Sequence, residues 1–326
     1  MMPSFSYVRP GTLQEAVQHL SAKGAVVHGG GTDLLTCLRE RIVDVQKVVS
    51  IQGLKDLYGV KETAGGGLRI GALTTITEVA EHPVIRERYP GLAQGAAEVA
   101  SPPLRNQGTI GGNLCQKPRC WYFRGDFHCL RKGGDTCYAP FGENQFHAIF
   151  GSGDICYIVH PSDTAPCLSA LNAEIEIAGP AGRRLLPAAE FHVLPEDYVM
   201  QETWLAPGEI LTAVRLPPPP PGLRSTYRKV RARRSWDFAL AGVALALQFD
   251  GDRVAGGRVV LSGAAPVPWR SRPVEDAVIG KTLDRQTIAA AAQAVVADAE
   301  PLAKNAYKIP LFRGVIEEEL ERISRP

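Results

Sequence analysis

Nowhere in this 326-residue chain do eighteen apolar residues follow one another, so no stretch reads as a membrane-spanning helix. Net charge is nearly absent too. Lys and Arg number 36 against 34 Asp and Glu, giving +2, and charge alone therefore points neither to nucleic acid nor to an anionic membrane. The opening MMPSFSYVRPG lacks a basic-then-apolar progression, so export by a signal of its own is not expected. G-x-S-x-G and H-E-x-x-H are missing, which removes the common hydrolase signatures. So are C-x-x-C and the run C-x2-C-x2-C, the usual marks of paired-ligand zinc sites and bacterial ferredoxins. What remains is ordinary for a folded protein: 45% hydrophobic and 21% charged residues, with length for two or three domains.

Short helices and strands alternate in the first half. Thr12–Leu20 has a helix-starting Thr and apolar residues at helical spacing. Ala25–His28, Val45–Ile51 and Leu68–Leu73 read as strands, Thr75–Glu81 and Tyr89–Ala100 as helices, and Asn172–Ile177 as a half-exposed strand. Five consecutive prolines, 217–221, then Gly222, favour a stiff connector and mark a boundary. Beyond it, Thr226–Val230, Gly242–Phe249 and Val254–Ser262 read as strands of a second sheet, and Asp284–Ala299 and Ile309–Ile323 as helices.

Two glycine-rich bends stand out. Gly29-Gly30-Gly31-Thr32-Asp33-Leu34 follows a strand, where glycines let backbone N–H groups converge on an anion. Leu34 stands where the Rossmann fingerprint needs its third glycine, and Glu275 where a P-loop ending at Gly280-Lys281-Thr282 needs its first. Arg105 to Asn113, RNQGTIGGN, repeats the combination of glycines, hydroxyl and amide. Two such loops suit a pyrophosphate clasped from both sides, as in a dinucleotide or flavin. Two bare tight turns fit the residues equally well.

The seven cysteines are uneven: Cys37 alone, five from Cys115 to Cys156, and Cys167. Dense clustering favours a metal or metal-cluster site over dispersed disulfides. The intervals Cys120-x8-Cys129-x7-Cys137, with eighteen residues to Cys156, suit no standard zinc spacing. A [4Fe–4S] cluster needs four thiolates and no fixed interval. Cys115 and Cys167 stay open as substitutes at this point, and Trp121, Tyr122 and Phe123 serve either to exclude water or as simple core. Six Lys or Arg between Arg224 and Arg234 read as a solvated strand edge or subunit contact before a nucleic-acid site. His147 and His160 are expected to be structural.

GGGTDLL (29–35), RNQGTIGGN (105–113), HPSD (160–163), PGEIL (207–211) and YRKVRARRSWDFAL (227–240) together resemble, in order and spacing, the FAD-binding medium subunits of molybdenum hydroxylases. The segments NLCQKPRCWYFR, CLRKGGDTC and ICYIVHPSD resemble the branch of that family carrying an extra [4Fe–4S] cluster. The resemblance implies an α+β fold: a two-part FAD-binding domain of the vanillyl-alcohol-oxidase (PCMH) type, then a smaller α/β C-terminal domain of the CO dehydrogenase flavoprotein type. The domains implied are 1–222, with lobes 1–56 and 57–222 and an insertion at about 115–156, and 223–326.

By the same resemblance Gly29, Gly30, Gly31, Thr32, Asp33 and Leu34 hold the FAD diphosphate from one side, and Thr109, Gly111, Gly112 and Asn113 from the other. Asp163 lies near the flavin end, and Leu211 and Lys229 close around the nucleotide portion. Cys120, Cys129, Cys137 and Cys156 ligate the cluster, with Cys115 the first alternate. The implied function is electron transfer within a heterotrimer, an aldehyde oxidoreductase by the same resemblance, with no catalytic residues here. Molybdopterin sits in a large partner subunit and [2Fe–2S] clusters in a small one; nucleic acid is not a partner. The compartment expected is the cytoplasm, or the periplasm if an exported partner carries the subunit. The rival reading is a zinc-stapled, nucleotide-binding scaffold or regulatory module without redox chemistry.

Overall fold

Thr12 opens the first helix with a capping box: its hydroxyl accepts from the Glu15 N–H at 3.2 Å, and the Glu15 carboxylate accepts from the Thr12 N–H at 3.3 Å. In this computed structural model, which describes residues 2–325, that helix (Leu13–Leu20) buries Ala16, Val17 and Leu20. They pack with residues of a parallel sheet of β1 (Ser6–Val8), β2 (Ala25–His28) and β3 (Lys47–Ser50) in the order β1-β3-β2. A second, antiparallel sheet follows, built of β4 (Val60–Glu62), β5 (Leu68–Gly71), β6 (Glu174–Gly179), β7 (Gly182–Pro187) and β8 (Ile210–Leu216), ordered β4-β5-β8-β6-β7. The largest core of this half joins that sheet to helices Ile76–Glu81 and Pro90–Ala97, with Tyr89, Leu92, Leu168 and Phe191 fully enclosed.

The third sheet is antiparallel: β9 (Leu223–Val230), β10 (Ala241–Asp250), β11 (Arg253–Ser262) and β12 (Trp269–Arg270), ordered β12-β11-β10-β9. Alternate residues of β10, Val243, Leu245 and Leu247, meet helices Arg272–Val278, Arg285–Ala294 and Lys308–Ser324 in one core. The proline run lies between β8 and β9, and at Gly222 (φ 73°) an added Cβ would come 2.1 Å from the Phe249 carbonyl oxygen. Two expected helices are shorter than their patterns. Pro90 starts one at its favoured first position and Ala100 (φ 46°) lies beyond its end. The alanine-rich helix stops at Ala294, before the β-branched pair Val295-Val296.

Charge also ties the second sheet together. Glu176 on β6, 2% exposed, accepts from Arg69 of β5 at 3.0 and 3.2 Å and from Arg215 Nε of β8 at 3.0 Å. Burial pushes its carboxyl pKa up, but the two guanidinium partners prevail and hold it at about 2. A folded-state pKa below the unfolded value contributes stability that is complete above the unfolded value and lost as pH falls through the folded one. Glu176→Gln is therefore expected to destabilise the chain by roughly 2–3 kcal/mol at neutral pH. In urea unfolding the gap from wild type should close as pH drops from 4.5 toward about 2.

Candidate cofactor-binding site

β2 ends at His28, and the chain turns through Gly29, Gly30 and Gly31. Gly31 has φ 76°, and a Cβ there would sit 2.8 Å from His28 Nε2. A Cβ on Gly30 would lie only 2.2 Å from the Gln107 carbonyl oxygen. The first loop thus meets the second backbone to backbone, which no other residue permits. Side-chain amides hold the contact: Gln107 Nε2 donates to the Gly30 carbonyl at 3.2 Å and Gln52 Nε2 to that of Gly29 at 2.9 Å. The second loop leaves the helix Pro102–Gln107 and enters the short helix Ile110–Leu114, whose cap Thr109 accepts from the Gly112 N–H at 3.2 Å. Backbone bonds from Ile76, Ile110 and Gly111 to Gly108, Thr74 and Ala72 carbonyls fasten it beside β5.

Around this junction runs a trench of three adjoining cavities. The first, about 270 Å³, is lined by Gly29 to Leu34, Thr109, Gly111, Gly112 and Leu211, with Val26, Ile51 and Leu73 as apolar wall. The second, about 340 Å³, shares Thr32, Asp33, Thr109 and Gly112 and reaches Asn113, Asp163 and Lys229. The third, about 200 Å³, shares Arg119, Asp163 and Phe238 and extends to Cys120, Trp121, His147 and His160. Every residue inferred for cofactor binding therefore lines the trench, although they do different things. Leu211 and Lys229, expected together around the nucleotide portion, stand in different cavities.

Both Asp33 carboxylate oxygens accept hydrogen bonds from the cysteine-bearing insertion. Asn113 Oδ1 accepts from Ser162 and Thr164 hydroxyls at 2.5 and 2.7 Å, fastening the HPSD segment to the second loop. Asp163 is buried with Lys229 Nζ at 2.8 Å and the Tyr227 hydroxyl at 2.7 Å. Burial raises its pKa in spite of those partners. Sequence reading missed Arg119, Phe238 and Trp236 as wall residues. Their signal was adjacency: Arg119 precedes Cys120, and both aromatics fall in the segment 227–240 quoted for the resemblance. The Arg119 guanidinium lies 5.0 Å from the centre of the Phe238 ring, a cation–π pair at the trench wall.

All seven cysteines are free thiols. Cys137 and Cys156 lie close enough to influence each other's protonation, which favours the Cys137 thiolate and pushes Cys156 up. Burial raises Cys120 to about 11, with Cys137 and Cys129 close enough to add to the rise. Its Sγ stands 3.3 Å from His147 Nε2. Tyr122, stacked on Tyr138 at 5.9 Å and edge-on to Phe127 at 5.0 Å, walls the group. Cys115 lies apart: it lines the first cavity, and its charged neighbours are Lys117 and Glu202. Among the described residues no three His, Cys, Asp or Glu side chains converge to hold a single ion. That convergence is what a zinc staple requires, with sulfurs about 2.3 Å from the metal.

The family described as the FAD binding domain in molybdopterin dehydrogenase matches residues 3–219, and the CO dehydrogenase flavoprotein C-terminal domain matches 225–322. The chain is 38% identical over 321 residues to the aldehyde oxidoreductase FAD-binding subunit PaoB of Escherichia coli, covering 97% of this chain and 96% of that one. It is 28% identical over 302 residues to the carbon monoxide dehydrogenase medium chain of Hydrogenophaga pseudoflava, covering 92% and 88%. The solved structure of carbon monoxide dehydrogenase from that organism superposes with a TM-score of 0.78 at 26% identity, over 99% of this chain and 98% of that one. The match to an FAD-binding domain and the paired glycine loops give one expected outcome. Gly30→Val, which must part the loops, should weaken flavin retention by about tenfold or more, read as the flavin-to-protein ratio after gel filtration.

Proposed function

The chain belongs to the FAD-binding subunits of the molybdopterin dehydrogenase family, and on that premise we propose that it is the electron-transfer subunit of a heterotrimeric molybdenum hydroxylase acting on aldehydes. It is an oxidoreductase subunit of a larger assembly, not a complete enzyme. In this reading a large subunit carries molybdopterin and a small one [2Fe–2S] clusters, and Cys120, Cys129, Cys137 and Cys156 hold a [4Fe–4S] cluster here. Bound FAD and the cluster supply the means of taking up electrons from the small subunit and releasing them to an outside acceptor.

The observation that carries the reading is the single trench, with glycine-loop amides at its middle and Cys120 in its far wall. The loops offer N–H groups and the Thr32 hydroxyl to a diphosphate. Val26, Leu73 and Leu211 give an apolar seat at one end. Lys229 and Asp163, paired at 2.8 Å, present an internally compensated charge at the other. The aromatic group of Trp121, Tyr122 and Tyr138 keeps water from the thiols. No helix among the described residues is long and apolar enough to cross a membrane. We place the working complex in the cytoplasm, or in the periplasm if an exported partner carries it.

Anaerobically purified complex is expected to contain FAD, acid-labile sulfide, and about four irons beyond those of its [2Fe–2S] subunit. Cys156→Ser should remove about that number of irons and leave the flavin bound. Zinc in place of iron, or iron unchanged by the substitution, would overturn the cluster assignment; absence of flavin would overturn the larger reading.

A further inference from the structure

Asp33 belongs by position to the first glycine loop, yet its contacts run elsewhere. It precedes the helix Leu34–Arg39, where an aspartate ordinarily caps the first turn, and its side chain makes no cap bond. Oδ1 instead accepts from Arg119 at 2.6 Å and from Arg124 NH2 at 2.9 Å, and Oδ2 from the backbone N–H of Lys117 at 2.7 Å. All three donors flank Cys120, the first of the four cysteines assigned to the cluster. Arg119 then continues to Phe238 and lines both the second and third cavities. Arg124 also donates to the carbonyls of Pro118 at 2.7 Å and Lys117 at 3.1 Å, closing its own segment into a compact turn. The carboxylate, Arg119 and Arg124 are all mostly buried.

We propose that Asp33 is a positioning residue, a carboxylate latch that docks the cysteine lobe onto the first glycine loop and does not itself bind the cofactor. With both oxygens occupied by the insertion, it has little acceptor capacity left for a ligand and, being anionic, would repel a diphosphate. A carboxylate joined to two guanidinium groups and one backbone N–H fixes direction as well as distance. Cys120 is thereby held at the trench wall by a residue 87 positions earlier in the chain. The part of the proposal that concerns iron rests on the cluster reading above; the docking part does not.

Asp33→Asn in the full-length chain within its complex keeps the size of the group and removes its charge. Amide hydrogen exchange across residues 117–124 should quicken by about tenfold or more, the loss expected for one charge-assisted contact. Exchange in β10 and β11 should not change. The flavin-to-protein ratio should stay within about twofold of wild type, while iron per chain falls. Unchanged exchange over 117–124 would overturn the latch, as would flavin loss without faster exchange, which would make Asp33 a cofactor ligand. Faster exchange in a protein that never held iron would keep the latch and end the cluster reading. Should Asp33→Asn fail to accumulate, Arg119→Gln and Arg124→Gln test the same contacts from the other side and must quicken the same amides. Where both classes fold, Asp33→Asn with Arg124→Gln should cost little more than either alone, and additive effects would overturn the proposal.

Discussion

The approach of Gly30 to the Gln107 carbonyl is the constraint on which the site depends. Each loop alone is a turn with a few free amides; only their abutment makes a trench whose two sides carry N–H groups. The space that would hold the Gly30 Cβ lies 2.2 Å from the Gln107 oxygen, well inside van der Waals contact. The loops consequently meet without intervening side chains, and the amide of Gln107 closes the seam. Both loops hang from regular structure, the first from β2 and the second from the residues that follow β5. Their spacing is therefore inherited from two separate sheets, and rigid elements give a site more precision than loops would alone.

Two carboxylates, one buried and one partly buried, then orient what surrounds the trench. Asp163 joins the FAD-binding half to β9 of the C-terminal half through Lys229 and Tyr227. Asp33 joins the first loop to the insertion. Removing ions from water costs several kcal/mol apiece, and the mutual attraction regained is of similar size. Such pairs are poor sources of net stability. What they contribute is direction: an unpaired cation or aspartate in either place would be costly, so alternative dockings of the lobe or of the C-terminal half are disfavoured.

Much of this was legible in the sequence where the signal is local. Thr12 and Thr75 announce their helices because capping needs only residues three apart, and the glycines announce bends because of what they lack. The nearly continuous apolar run of β10 fits a strand covered on both faces. Distant pairing is a different matter. Asp33 sits in a loop whose pattern suggests anion binding, and nothing local reveals that Arg119 and Arg124, some ninety positions on, claim its oxygens. Asn113 likewise reads as part of a cradle, yet Ser162 and Thr164 take its carbonyl oxygen. The separation of Leu211 from Lys229 follows from their lying on strands of different sheets, which a list of motif residues cannot convey. Composition and motif order identified the family; side-chain roles needed the tertiary contacts.

The cysteine lobe shows why those contacts matter. Its own buried apolar nucleus consists of Tyr122, Ala139 and Tyr157, far too little to offset the ordering of some forty residues at about 1–2 kcal/mol each. Order has to be supplied from outside. Asp33 holds the lobe's entry, while Glu202 takes both Lys117 and Arg131. On the far side Asn305 donates to the carbonyls of His147 and Ala148 at 3.1 and 3.2 Å, and Asn144 accepts from the Lys304 N–H at 2.9 Å. Three separate parts of the fold thus grip one insertion by polar contacts. Long intervals between cysteines suit that construction, since closing a loop costs only logarithmically more as it lengthens. Order in this lobe therefore comes from the surrounding protein, through polar contacts made by residues far from it in the chain.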